Sequence, residues 1–329
     1  MLRNLLQGRY LGVDFFWVLS GFVLAYAYEQ RLKQGITTLE FMRIRLIRLY
    51  PLYLLGLSIG VSVYVLNVLR GWHPAPVDQI GVAAFFGLLF LPVPPIGDWT
   101  GTSLYPFNGP SWTLFFELVA NLVYAALFRF LNRWMLAAVL VVAGGYLAFS
   151  LPQQADLGPG WLWPHFDVGL ARSMYCFFAG VAAFRISRVV RVPALPAWVA
   201  FLCFLAIIAA PIPDAWRRPF DAFAAIVLMP ALVLFASGSQ ISGRLARVCA
   251  VLGLLSYGVY VLHMPLSVVV NVGLSALKLH PPGVVLVLGI ALGAGIVAAL
   301  ADRFYDGPVR RWLTARTGAS RSSAGAGRG

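Results

Sequence analysis

Nine stretches of this chain are each long and apolar enough to demand one environment. A helix needs roughly 20 mostly apolar residues to cross a hydrocarbon layer of about 30 Å, because each residue adds about 1.5 Å. Such runs lie near residues 10–28, 49–69, 111–128, 134–151, 169–184, 195–211, 222–238, 249–270 and 283–301. In hydrocarbon each backbone N–H and C=O must find its partner inside the segment, so every run is read as a helix. Composition points the same way: 60% of the residues are hydrophobic and 11% charged, against roughly 45–50% and about 25% in soluble domains. A water-soluble globule is excluded. The expected fold is all-α, a polytopic membrane protein of about nine transmembrane helices joined by short loops. Residues 80–91 are apolar but too short to span, and Pro92, Pro94 and Pro95 follow, which suits a re-entrant or surface-lying segment. No internal period marks a solenoid, while inverted transporter-type repeats stay open.

Lysine and arginine number 25 against 12 acidic residues, a net charge of +13. A nucleic-acid binder gathers such an excess on one solvated face; here it is threaded between apolar runs, so the partner is a lipid bilayer and not nucleic acid. Basic residues concentrate in alternate loops: Arg31, Lys33, Arg43, Arg45 and Arg48, then Arg129 and Arg133, then Arg185, Arg188 and Arg191, then Arg244 and Arg247, then the C-terminal tail. The other side holds few, among them Arg70, Arg217 and Arg218. Cytoplasmic loops carry the excess, which makes this a multi-pass protein of the cell's inner (plasma) membrane with a cytoplasmic C-terminus. An odd number of helices then leaves Met1 outside, although the first residues form no apolar export segment. A tenth helix ahead of Met1 resolves the conflict. Residues 1–313 are expected to form the membrane domain, and residues 314–329, rich in Gly, Ser, Ala and Arg, a disordered cytoplasmic tail.

Ionisable groups inside a membrane are costly and need a reason. Asp14, Glu117 and His263 are such groups. With the first and third runs pointing inward and the 249–270 run outward, all three fall in one outer layer, roughly 6–10 Å below the surface. A carboxylate and an imidazole at matched depth suit proton transfer; the alternative is a polar cluster that packs helices. Ser20 needs a base to act as nucleophile, and the sequence offers none beside it. On the opposite side Arg45 and Arg48, three residues apart, share a helix face and suit either a phosphate-rich ligand or lipid headgroups. His73, His165 and His280 are read as loop histidines, and Trp99, Trp161 and Trp163 as interfacial anchors. Asp306-Gly307-Pro308 reads as a turn that stops a helix. Cys176, Cys203 and Cys249 sit in apolar runs without metal or disulfide spacing, so no metal site is expected.

Four segments in this order, GVDFFWVLSGFVL, RLIRLYPLY, PSWTLFFE and LLSYGVYVLHMPL, resemble the signatures of the integral-membrane acyltransferase family 3, which includes O-antigen and other polysaccharide O-acetyltransferases. The resemblance implies a ten-helix acyltransferase that takes an acyl group, usually acetyl, from acyl-CoA at the cytoplasmic side. It passes that group to a hydroxyl of a carbohydrate or glycolipid, as in O-acetylation during polysaccharide biosynthesis. Acyl-CoA is then a donor substrate, and no cofactor is permanently bound. The resemblance places Arg45 and Arg48 near the donor phosphates and makes Glu117, His263 and Asp14 the catalytic candidates. Trp112, Tyr257 and Tyr260 take substrate-binding or structural roles, and Asp306-Gly307-Pro308 stands for a Glu-x-Pro element. Family members open with a helix carrying an Arg and a His, and this chain starts after it, which agrees with the charge count. His263 is then left as the base. Two other readings compete: a secondary transporter of a sugar-linked solute, and an inactive truncated member of the family.

Overall fold

The structure is a computed structural model and describes residues 7–71, 76–96, 101–154 and 158–317. Its helices run α1 (Leu11–Lys33), α2 (Thr38–Leu69), α3 (Val77–Leu88), α4 (Ser111–Leu127), α5 (Arg133–Ser150) and α6 (Phe166–Val189). They continue as α7 (Ala197–Ala209), α8 (Asp214–Phe223), α9 (Met229–Ala236), α10 (Gly243–Ala276), α11 (Gly283–Ala301) and α12 (Gly307–Thr317). Among the described residues there is no β-strand, as the apolar runs require. All nine expected runs are helical. Among the described residues seven helical segments are long and apolar enough to cross a membrane: Leu11–Lys33, Thr38–Leu69, Ser111–Phe130, Arg133–Gln153, Asp214–Ala236, Gly243–Ala276 and Gly283–Thr317. The other two expected spans differ for separate reasons. Helix α6 has the length, at 24 residues, but carries Asp167, Arg172, Arg185 and Arg188; α7 has the apolarity but only 13 residues. Residues 314–317 close α12 instead of opening a tail, and residues 318–329, His73 and Trp99 lie outside the described residues.

The chain divides into two compact units, Met1–Thr38 with Phe116–Ser242, and Leu39–Phe115 with Gly243–Gly329. In the first, α1 lies against α6 at the closest range a backbone allows. A Cβ built on Gly21 falls 1.9 Å from the Phe177 carbonyl oxygen, and one on Gly180 falls 2.0 Å from that of Val18. Hydrogen is the only substituent both positions accept, the small-residue contact typical of membrane helices. Around it Trp17, Val18, Phe177 and Phe178 are buried. Asn132 caps α5 by accepting from the Trp134 and Met135 amides at 2.9 and 3.0 Å. Between α8 and α9 the chain passes through a π-helical turn, Ala224–Leu228. The widened turn frees carbonyls that α6 uses, Tyr175 donating to Ile226 O at 2.8 Å and Cys176 to Ala225 O at 3.9 Å.

The second unit explains the short 80–91 segment. Helix α3 runs back alongside α2, because the Gly87 and Leu88 carbonyls at its end accept the Tyr53 and Tyr50 hydroxyls at 2.6 and 2.7 Å. Tyr53 lies about 24 Å of helix from the Leu69 end of α2, at roughly 1.5 Å per residue, so α3 packs back along most of the apolar length of α2. The last carbonyls of a helix have no partner inside it, and the two tyrosines satisfy these, the Gly87 one in a buried bond. The reversal turns on Phe90, held at φ +59, while Leu91 N bonds back to Phe86 O at 2.9 Å. Glycine is the usual residue in this left-handed capping position. Phe90 is kept there by stacking on Tyr53, ring centroids 3.7 Å apart and 16° from parallel.

Candidate active site

In the second unit the site is organised around a proline. Pro265 lies inside α10 and has no N–H to give to the carbonyl four residues back, that of Val261. Asn108, in the segment before α4, supplies the missing donor from Nδ2 at 3.1 Å. One turn earlier, the Tyr260 hydroxyl meets the first turn of α4: it lies 2.6 Å from Thr113 Oγ1 and 3.3 Å from the Pro110 carbonyl, which Thr113 Oγ1 also reaches at 3.0 Å. Tyr257, three residues before, donates to the Leu49 carbonyl of α2 at 2.5 Å. The Tyr-x-x-Tyr spacing thus puts two hydroxyls on one helix face, one for each neighbour. Trp112 is buried beside Thr113 at 9% exposure.

His263 follows in the same register, partly exposed, with Nδ1 2.7 Å from the Tyr260 carbonyl. A carbonyl only accepts, so Nδ1 carries a proton, and in the neutral ring the lone pair lies on Nε2. That tautomer is the one a general base needs.

The two arginines of α2 separate in environment. Arg45 is buried and Arg48 exposed, as expected when only one of two neighbours on a helix turn faces inward. Arg48 lies near enough to Asp306 for their charges to interact, and Arg310 bridges Asp306 and Asp302 at 2.8 and 2.7 Å. Asp306-Gly307-Pro308 therefore does not stop a helix. The chain runs through a π-helical turn, Asp302–Asp306, directly into α12, because proline is tolerated in a helix's first turn.

The first unit holds the other two candidates, each with a partner. Asp14, fully buried, takes Arg172 on both oxygens, Nε at 3.0 Å and Nη2 at 2.6 Å. Arg172 Nη1 reaches the Pro159 carbonyl at 2.6 Å, so this buried fork is paired on all sides that matter. Glu117, 2% exposed, accepts the Ser20 hydroxyl on Oε1 at 2.9 Å. Farther along α1, Glu29 meets Arg185 at 3.2 Å and Lys33 at 3.1 Å. Near the start of α1, Tyr10 donates to Asp221 at 2.5 Å and accepts from Arg217 Nε at 2.8 Å.

Asp14 and Glu117 thus share a unit, while His263, Arg45, Arg48, Trp112, Tyr257 and Tyr260 belong to the other. Sequence reasoning missed Arg172; an arginine inside an apolar run calls for a buried acid, and Asp14 was already in view. It also missed Asn108, which carries no charge and sits in a loop. Among the described residues no group of three or more His, Cys, Asp and Glu is placed to hold a metal ion.

Comparison with known proteins gives a family match over most of the chain: a model described as an acyltransferase domain, Acyl_transf_3, aligns with residues 4–301. Protein 2 in the picA locus of Rhizobium radiobacter is 40% identical over 149 residues, 41% of this chain and 73% of that protein. The exopolysaccharide production protein ExoZ of Rhizobium meliloti is 31% identical over 147 residues, 42% of each chain. Acyltransferase MdmB of Streptomyces mycarofaciens is 30% identical over 165 residues, 46% of this chain and 38% of that one. The aligned segments cover less than half the length of the last two relatives. No solved structure matches the chain.

Proposed function

The chain belongs to acyltransferase family 3, and from that premise we propose that it moves an acyl group, acetyl by preference, from acyl-CoA to a hydroxyl of a carbohydrate or glycoconjugate. The observation that carries the chemistry is the His263 ring, whose Nδ1 lies 2.7 Å from the Tyr260 carbonyl, so that the neutral ring has its lone pair on Nε2. Nε2 takes the proton of the acceptor hydroxyl as its oxygen attacks the thioester carbonyl. The carbon–sulfur bond then breaks, and CoA leaves as the thiol on receiving that proton. Arg45 and Arg48 hold the donor's phosphates, since a guanidinium fork matches phosphate oxygens. Glu117 binds acceptor hydroxyls through its carboxylate. For Asp14 the proposed role is to hold α1 on α6 through Arg172, because both its oxygens are already engaged.

The relatives' names favour the same class: one is an acyltransferase and one an exopolysaccharide production protein. The excess of arginine in alternate loops supports a plasma-membrane protein with its C-terminus and the Arg45–Arg48 end in the cytoplasm.

The test is radiolabelled acetyl-CoA added to membranes from cells that express the protein. Label is expected in a glycan or glycolipid fraction, with His263→Ala lowering the rate by about 10²–10⁴-fold. Full transfer by a normally inserted His263→Ala variant removes His263 from the chemistry. Uptake of a sugar-linked solute without covalent label replaces the enzyme with a transporter.

A further inference from the structure

A proline inside a helix removes one N–H and loosens the turn before it. Pro265 does this in α10, and His263 stands two residues ahead of it. The helix alone therefore fixes the ring poorly, and the segment leading into α4 takes over. Asn108 Nδ2 holds the Val261 carbonyl at 3.1 Å. Gly56 of α2 lies against that bond: a Cβ built there falls 2.8 Å from Asn108 Nδ2 and 2.9 Å from Val261 Cγ1. Asn108 Oδ1 and Ser111 Oγ, buried and without a hydrogen-bond partner in the protein, line a small cavity beside α3 with room for about one water. A single water suits both atoms, Ser111 donating to it and the water donating to Asn108, and it fixes the amide with Nδ2 turned to Val261.

A second tie involves Tyr260. Its hydroxyl, Thr113 Oγ1 and the Pro110 carbonyl form a triangle with edges of 2.6, 3.0 and 3.3 Å. Two hydroxyl hydrogens serve three edges, and the carbonyl only accepts. The short edges take them: Tyr260 donates to Thr113 Oγ1, and Thr113 donates to Pro110. Without Oγ1, Tyr260 is left with the Pro110 carbonyl at 3.3 Å, beyond the limit of about 3.0 Å for a good O–H···O bond. The same Tyr260 gives its carbonyl to His263 Nδ1 at 2.7 Å. Its side chain is thus held by Thr113 while its backbone holds the ring, and one buried hydroxyl on α4 sets where the ring stands. Such placement matters, since a shift of about 1 Å at a reacting group costs up to about 10²-fold in rate.

We propose that Thr113 is a positioning residue for the base: through Tyr260 it holds His263 Nε2 where the acceptor's proton arrives. The proposal rests on His263 acting as the base in acyl transfer. The test measures label transferred from radiolabelled acetyl-CoA in membranes of expressing cells, per inserted protein. Thr113→Val keeps the shape and removes the hydroxyl; it is expected to lower the maximal rate about tenfold and to leave KM for acetyl-CoA unchanged. Thr113→Ser, which restores a hydroxyl, is expected to recover most of the rate. In the His263→Ala background Thr113→Val is expected to change nothing further, because its effect passes through the ring, whereas a residue that only stabilises the fold lowers that residual rate too. If Thr113→Val does not insert, Tyr260→Phe removes the same bond from its other end and is held to the same outcomes. A wild-type rate in Thr113→Val, no recovery in Thr113→Ser, a matching rise in KM, or a further drop beside His263→Ala overturns the positioning role alone. Wild-type membranes that transfer no label, or full transfer by His263→Ala, overturn the base reading and this role with it.

Discussion

The side-chain amide of Asn108 donates to the carbonyl of Val261 at 3.1 Å, the carbonyl that Pro265 leaves without a helical partner. A loop residue and a helix residue 153 positions apart in sequence are thereby joined through the absence of an N–H elsewhere. The bond places the turn carrying His263 against the segment that leads into α4.

This relationship predicts a rescue. Asn108→Leu strands a buried carbonyl and should destabilise the protein by about 1–3 kcal/mol. Pro265→Ala restores the missing N–H, so the double variant should lose markedly less than the sum of the two single changes. Thermal unfolding in detergent, followed by tryptophan fluorescence, reads the cycle. Strict additivity would show that Asn108 and Val261 are not coupled.

Asp14 and Arg172 predict the opposite of a catalytic pair. Removing either charge leaves the other buried alone, with an expected loss of about 3–5 kcal/mol in Asp14→Ala or Arg172→Ala. Replacing both together, as Asp14→Leu with Arg172→Met, should recover much of that loss. If Asp14→Asn instead keeps full stability while abolishing acyl transfer, Asp14 belongs to the chemistry and the structural role is wrong.

Gly21 and Gly180 predict a steric limit. Even alanine places a carbon about 2 Å from a backbone oxygen of the facing helix, and backbone cannot swing away as a side chain can. Gly21→Ala or Gly180→Ala should therefore part α1 from α6 and yield aggregated protein on size-exclusion chromatography. The control is Gly145→Ala, where nothing lies within 4 Å of the added carbon, and it should elute as wild type.

Much of the site is legible in the sequence because membrane helices expose their exceptions. Asp14, Glu117, Arg172 and His263 stand out against apolar runs, and burial without a partner is too costly to be accidental. The three-residue spacing of Tyr257 and Tyr260 likewise announces a shared helix face. Asn108, Ser111 and Thr113 give no such signal. They are uncharged, they lie at the mouth of a helix where such residues are common, and their importance comes from which distant carbonyl or cavity they meet. Glu117 shows the same limit from the other side: its burial was expected, but its bond to Ser20, 97 residues away, follows from no pattern along the chain.

What the sequence by itself determined is the medium and the element type. Runs of about 20 apolar residues leave hydrocarbon as the environment and helix as the conformation, because backbone groups there have no water to turn to. It also marked residues 80–91 as a shorter apolar segment, and the helix there, Val77–Leu88, is 12 residues long. Only the tertiary structure decided that α3 turns back at Phe90, that Asp14 belongs to Arg172, and that Asn108 answers Pro265. These are pairings between segments far apart in the chain, and a backbone carbonyl reads the same in every sequence until folding brings a donor to it.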